Sequence, residues 1–144
     1  MKLFKHLRPI LVVEDSDEDF ATVLDAAKVA GVLNDIHRAS SGDECLQLLH
    51  ATAEHQNTIP VMVLLDLNTP KDDGREALRA IKQDERLRAI PLVVLSTSAN
   101  PRDVSFCYAS GTNAYHVKPV DHPAHLLILK KIFDYWLSSV ELSS

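Results

Sequence analysis

Short apolar runs alternate along this chain with stretches whose apolar residues recur at helical spacing. The first run, Ile10-Leu11-Val12-Val13, stops abruptly at Glu14-Asp15-Ser16-Asp17. It is apolar at every position, as a strand buried on both faces of a parallel sheet requires. Phe20, Val23, Leu24, Ala27 and Ala30 then follow a helical period. Ser16 with Asp19 three residues on predicts a capping-box start, and Gly31 predicts a left-handed stop. The grammar repeats. Ile36 to Ala39 reads as a weak second strand, and Ser41-Gly42-Asp43-Glu44 opens a helix through Leu46, Leu48 and Leu49. Val61 to Leu65 is the strongest strand pattern and ends at Asp66, after which Asp73 with Glu76 opens a helix carrying Ala77, Leu78 and Ile81. Pro91 to Leu95 predicts a fourth strand ending at Ser96, and Asn100-Pro101 suits a helix start. Ala114 to Val117 predicts a fifth strand before Lys118-Pro119, and Asp121 caps a last helix running through Leu126, Leu129, Phe133 and Trp136.

Strands alternating with helices in this way predict an α/β fold: a doubly wound five-stranded parallel sheet with five helices. With no internal repeat and no linker, one domain over 1–144 is expected, its core at about 8–139. The stretch from Thr52 to Pro60 is the least regular and is expected to be a mobile excursion. Apolar residues make up 46% and charged residues 24%, enough for a sizeable core and against disorder. The 15 basic and 20 acidic residues argue against a broad nucleic-acid surface, which needs clustered Lys and Arg. Cys45 and Cys107 fall in helical stretches outside any metal-binding spacing, so buried free thiols and a reducing, cytoplasmic setting are expected. Met1 to Arg8 has no long apolar run, which predicts neither a secretory signal nor a membrane span.

The chemistry gathers where strands end. Ligands of doubly wound sheets bind beyond the carboxyl ends of the strands. Those ends carry Glu14 and Asp15, then Asp66, Ser96 and Lys118. Three carboxylates brought together repel one another unless a cation joins them, and hard oxygen ligands suit Mg²⁺. Two carboxylates would hold the ion, with the backbone carbonyl of Asn68 completing its shell. Asp66 would attack phosphorus to form an acyl phosphate. Lys118 would offset charge on the transferring oxygens, and Ser96 would donate to one of them.

These residues carry a family resemblance. Ile10 to Asp15 resembles the opening strand and acidic pair of response-regulator receiver domains, whose sheet is flavodoxin/CheY-like. Asp66-Leu67-Asn68-Thr69-Pro70-Lys71-Asp72-Asp73-Gly74 is similar to their phosphoacceptor loop, and the order Ser96, Gly111, Tyr115, Lys118-Pro119 also resembles the pattern. The resemblance implies Asp66 as phosphoacceptor, and Glu14, Asp15, Asp66 and the Asn68 carbonyl at Mg²⁺. It further implies Ser96 and Tyr115 as switch residues and Lys118 as the partner of the phosphate. It makes Lys118–Pro119 a candidate cis peptide. Glu14 replaces the commoner Asp, Ser96 the commoner Thr, and Thr97 is bulkier than the small residue often found after the switch hydroxyl. Asp73 to Leu78, Ile90 to Leu95 and Phe133 to Leu137 resemble stand-alone regulators paired with bacterial phytochrome histidine kinases. That subgroup implies a sensor histidine kinase as partner, possible onward transfer to a histidine phosphotransfer protein, and a homodimer. The output would act in trans through the fourth helix, fifth strand and fifth helix, without an attached output domain.

Blander and rival readings stand beside this one. Asp17, Glu18 and Asp19 read as a solvated first helical turn, favoured by the helix dipole. Tyr115 also fits a half-buried strand aromatic. His116, His122 and His125 lack structural-zinc spacing and read as surface or helix-start residues. The last helix has more apolar coverage than one core stripe needs: Leu127, Ile128, Ile132, Tyr135 and Leu137 supplement the Leu126, Leu129, Phe133 and Trp136 face. One face suits the core and another a partner, with Phe133, Trp136 and Leu137 the expected interface residues. A phosphohydrolase would want an acid-base Asp where Asn68 stands. A flavin carrier would want a Ser, Thr and Gly-rich loop where Glu14 and Asp15 stand. A receiver-shaped adaptor that binds without phosphorylation remains open.

Overall fold

The computed structural model describes residues 7–55, 58–67 and 73–142. Its strands are β1 (Ile10–Val13), β2 (Ile36–Ala39), β3 (Met62–Asp66), β4 (Leu92–Ser96) and β5 (Ala114–Val117). Between and after them come α1 (Asp17–Val29), α2 (Gly42–Thr52), α3 (Asp73–Gln83), α4 (Pro101–Ala109) and α5 (His122–Asp134). All neighbouring strands pair in parallel, in the order β2-β1-β3-β4-β5. The order reverses between β1 and β3, which opens a crevice above their carboxyl ends.

Every residue of β1, β3 and β4 is buried, because helices cover both faces of the sheet. Successive strand side chains point to opposite faces, so each apolar run splits in two. Leu11, Val13, Val63, Leu65, Leu92 and Val94 pack with Leu49, Leu78 and Ile81 beneath α2 and α3. Ile10, Val12, Met62, Leu64, Val93 and Leu95 pack with Val23, Leu129 and Phe133 beneath α1 and α5. Cys45 and Cys107 are free and buried in the first of these layers, as expected.

The predicted caps form. Ser16, Ser41, Asn100 and Asp121 each accept a backbone N–H of the following turn. After α1, Gly31 takes φ +73°, with Gly31 N–H on Lys28 O and Val32 N–H on Ala27 O, a Schellman stop.

Two expectations need correction here. Phe133, expected at an interface, is 1% exposed and belongs to the core against α1, because the stripe that seats α5 on the sheet passes through it. Trp136 and Leu137 pack partly against the same layer. The last helix also does not run unchanged through Trp136: residues Tyr135–Ser139 form a wider π turn, with Val140 N–H donating to Tyr135 O. Residues 56 and 57, within the expected excursion, lie outside the described residues. Thr58 just beyond folds back, its hydroxyl donating to His55 O at 2.8 Å. Among the described residues, no helix is long and apolar enough to cross a membrane.

Candidate functional site

β1 and β3 lie side by side in register, Val13 against Leu65, so the chain continues from each strand into Glu14 and Asp66 at one edge. Both side chains are buried, at 5% and 6% exposure. Lys118, just past β5, reaches over the edge from the far side of β4. Its Nζ donates to Asp66 Oδ2 at 2.7 Å, to Asp19 Oδ2 at 2.8 Å and to Glu14 Oε1 at 3.3 Å. Arg38 of β2 steadies the turn after β1, donating to the Glu14 carbonyl at 2.9 Å and to the Asp17 carboxylate at 2.7 Å.

Three carboxylates thus share one ammonium. Burial first, then a hydrogen bond to Asp66 and the Asp66 charge, push the Glu14 carboxyl up to about 8, against the pull of Lys118 and the Ser16 N–H. Burial opposes charge on Lys118, but its bonds to Asp19 and Asp66 and the charges of Asp66 and Glu14 outweigh that and raise its pKa. One oxygen from each of Glu14, Asp19 and Asp66 lies within 4.8 Å of the others. With Lys118 counted, a full set of ionised carboxylates leaves two negative charges unbalanced. A hard all-oxygen donor set with that imbalance fits a divalent cation.

The structure brings part of the expected set together. Glu14, Asp66 and Lys118 come together. Asp15 is exposed and stands outside the carboxylate cluster. Consecutive residues of an extended segment point opposite ways, so Glu14 turns into the cluster and Asp15 away from it. Asp19 takes the third place, although its turn was expected to be solvated. Its backbone N–H fills the capping role on Ser16 Oγ, leaving its side chain free to turn toward Lys118. The capping pattern hid it, since Asp19 read as the cap's reciprocal acceptor; Ser16 N–H instead donates to Glu14 Oε2. Asn68 lies outside the described residues.

Ser96 closes β4 and is buried, and its Oγ accepts the Ser98 N–H at 3.1 Å. Thr97 is exposed. Tyr115 is half-buried against the layer beneath α3 and α4, and its hydroxyl donates to Ser98 O at 2.7 Å. The Lys118–Pro119 peptide is trans, not the expected cis, as no described peptide bond is cis. A proline lowers the cost of the cis form without making it the favoured one, trans keeping an advantage of about 0.5–1 kcal/mol. In the trans form Lys118 N–H still meets Ser96 O at 2.6 Å and Nζ still reaches Asp66. His125, in the first turns of α5, is 5% exposed, and the helix start buries it rather than presenting it to solvent. Burial, followed by the Lys118 charge, lowers its pKa.

A parallel sheet of this order, with carboxylates gathered around one lysine at its carboxyl edge, defines a doubly wound α/β domain with a polar site at its strand ends. Residues 10–130 match the response regulator receiver domain family, and the chain belongs to that family. Among curated relatives, the probable methanogenesis regulatory protein FilR2 of Methanothrix harundinacea (strain 6Ac) is 38% identical over 89% of this chain and 83% of its own. Response regulator Rcp1 of Synechocystis sp. (strain ATCC 27184 / PCC 6803 / Kazusa) is 37% identical over 92% and 91%. Among solved structures, the phosphorylated cyanobacterial phytochrome response regulator RcpA superposes with a TM-score of 0.87 at 37% identity, over 95% of this chain and 99% of that one. The Mn²⁺-bound form of Rcp1 superposes with a TM-score of 0.86 at 36% identity, over the same shares.

Proposed function

We propose that this receiver takes a phosphoryl group onto Asp66 from a sensor histidine kinase and passes the event on through its surface. The observation that carries the reading is the buried Asp66 carboxylate held at 2.7 Å by Lys118 Nζ, beside Glu14 and Asp19. An Asp66 oxygen forms the new bond to phosphorus as the donor's bond breaks, and the donor departs with that electron pair. Lys118 faces the oxygens that gather charge, and the buried Ser96 hydroxyl stands at the neighbouring strand end to donate to one of them. Mg²⁺ is the expected cation; held by Asp66, Glu14 and the Asn68 carbonyl with Asp15 or Asp19, it would neutralise charge on the transferring group. Its place here is supported by the carboxylate cluster and by the Mn²⁺-bound form of Rcp1.

The likeness to the phytochrome response regulator RcpA supports a bacterial phytochrome kinase as the donor. For the output we infer a homodimer through α4, β5 and α5. Tyr108, Val117 and Leu127 are exposed there, with Tyr135 exposed in the turn just after α5, beside a cleft of about 480 Å³ lined by His116, Lys131, Tyr135 and Trp136.

The test is intact mass after incubation with acetyl phosphate or kinase, with and without Mg²⁺. One Mg²⁺-dependent phosphoryl adduct is expected, and none in Asp66→Asn. An adduct that persists in Asp66→Asn would remove Asp66 from this role.

A further inference from the structure

A second polar chain, outside the carboxylate cluster, runs from α3 to Tyr115 of β5. The segment between β4 and α4 centres on Ser98, each of whose polar groups is engaged. Its N–H donates to Ser96 Oγ at 3.1 Å, and its carbonyl accepts the Tyr115 hydroxyl at 2.7 Å. The Ser98 hydroxyl donates to Asp103 Oδ2 at 2.5 Å and accepts the Asn100 N–H at 3.2 Å. Asp103 stands in the first turn of α4, and its other oxygen accepts from Arg75 Nη2 at 2.7 Å. Arg75 is in the first turn of α3, the helix that follows Asp66 in the chain, and its guanidinium also lies 5.0 Å from the centre of the Phe106 ring on α4.

We propose that Arg75, Asp103 and Ser98 form a latch that holds the segment after Ser96 in place and sets how readily Ser96 and Tyr115 rearrange when Asp66 is phosphorylated. The proposal rests on the reading of Asp66 as phosphoacceptor. A serine hydroxyl has one hydrogen to give, and here Asp103 takes it. Arg75 in turn fixes Asp103 by charge, and Phe106 fixes the plane of Arg75. Moving Ser98 toward the site therefore stretches a charge-assisted hydrogen bond, among the stronger kinds in proteins. The Ser98 hydroxyl, ahead of Arg75, also holds the Asp103 carboxyl below its ordinary range, the sign of a bond that favours the ionised acceptor. Because Ser98 meets Ser96 through its N–H and Tyr115 through its carbonyl, both expected switch residues feel whether the latch is closed. Opening it makes the rearranged segment more populated, and a phosphoryl group that prefers that segment is then taken up more easily.

The experiment compares Arg75→Ala, Asp103→Ala and the double variant with the native protein. Amide hydrogen exchange of the unphosphorylated proteins reads the latch without any phosphate chemistry. Faster exchange confined to residues 97–100 is expected in each variant, the double matching Asp103→Ala because the links act in series. Initial rates of Mg²⁺-dependent phosphorylation by acetyl phosphate read the consequence, with a rise of about five-fold expected, the low end of typical coupling between sites. Unchanged exchange at 97–100, or a rise spread evenly over the fold, would overturn the latch whatever happens at Asp66. Confined exchange with unchanged or slower phosphorylation would overturn its role in the switch. An adduct retained in Asp66→Asn would instead overturn the phosphoacceptor reading, and the exchange result would still decide the latch.

Discussion

At the scale of residues, Glu14 bears the cost of the site. Its carboxyl is raised from 4.5 to about 8, by burial above all. A carboxyl raised in the folded protein keeps a proton that the unfolded chain has already lost, so stability falls as pH climbs from about 4.5 to about 8. Glu14→Gln removes that penalty. In chelator, the variant is expected to melt above the native protein at pH 8, with the gap closing toward pH 4; thermal denaturation across that range checks it. Added Mg²⁺ is expected to reverse the order, since it stabilises the chain that binds it more tightly. Glu14, Asp66 and Lys118 were legible because each directly follows or ends a strand, and the strand ends of this fold meet at one edge. Asp19 was not legible: nothing local separates a carboxylate that faces water from one that meets a lysine 99 residues away.

At the scale of elements, local signals and tertiary contacts compete at helix starts. Gly42 opens α2 directly after the Ser41 cap, and helix propensity alone gives no reason to prefer glycine there over alanine. The α3 start decides otherwise. A Cβ at Gly42 would run into the Asp73 backbone carbonyl, and Asp43 N–H already donates to Asp73 Oδ2 at 3.1 Å. Gly42→Ala is therefore expected to destabilise, by about 1–3 kcal/mol if it behaves as other overpacked sites do, read from urea denaturation. The caps of α1, α2, α4 and α5 needed only neighbours in sequence, and all four formed where the pattern put them. The close approach of two helix starts needed the folded chain.

At the scale of the molecule, the last helical segment has two duties. The inner face of α5 seals the layer against α1, its outer face carries Leu127, and Tyr135 follows in the π turn, both residues more than half exposed. Phe133→Ala is expected to lose about 3–5 kcal/mol of stability, as other buried aromatics do. Tyr135→Ala is expected to leave the melting temperature unchanged and weaken self-association in sedimentation velocity. A variant that melts early without dissociating would place Tyr135 in the core and the dimer surface elsewhere.

The sequence by itself determined the alternation of strands and helices, the parallel sheet and the residues delivered to its carboxyl edge. Those follow from periodicity and capping, which act over a few residues. Tertiary structure alone decided that Asp19 rather than Asp15 joins Glu14 and Asp66, and that Phe133 faces inward. It also decided that Ser98 ties Ser96 and Tyr115 to Arg75 through Asp103. Each of these depends on the direction a side chain takes after distant segments meet, and that direction is set by packing and charge across the sheet, not by the neighbours along the chain.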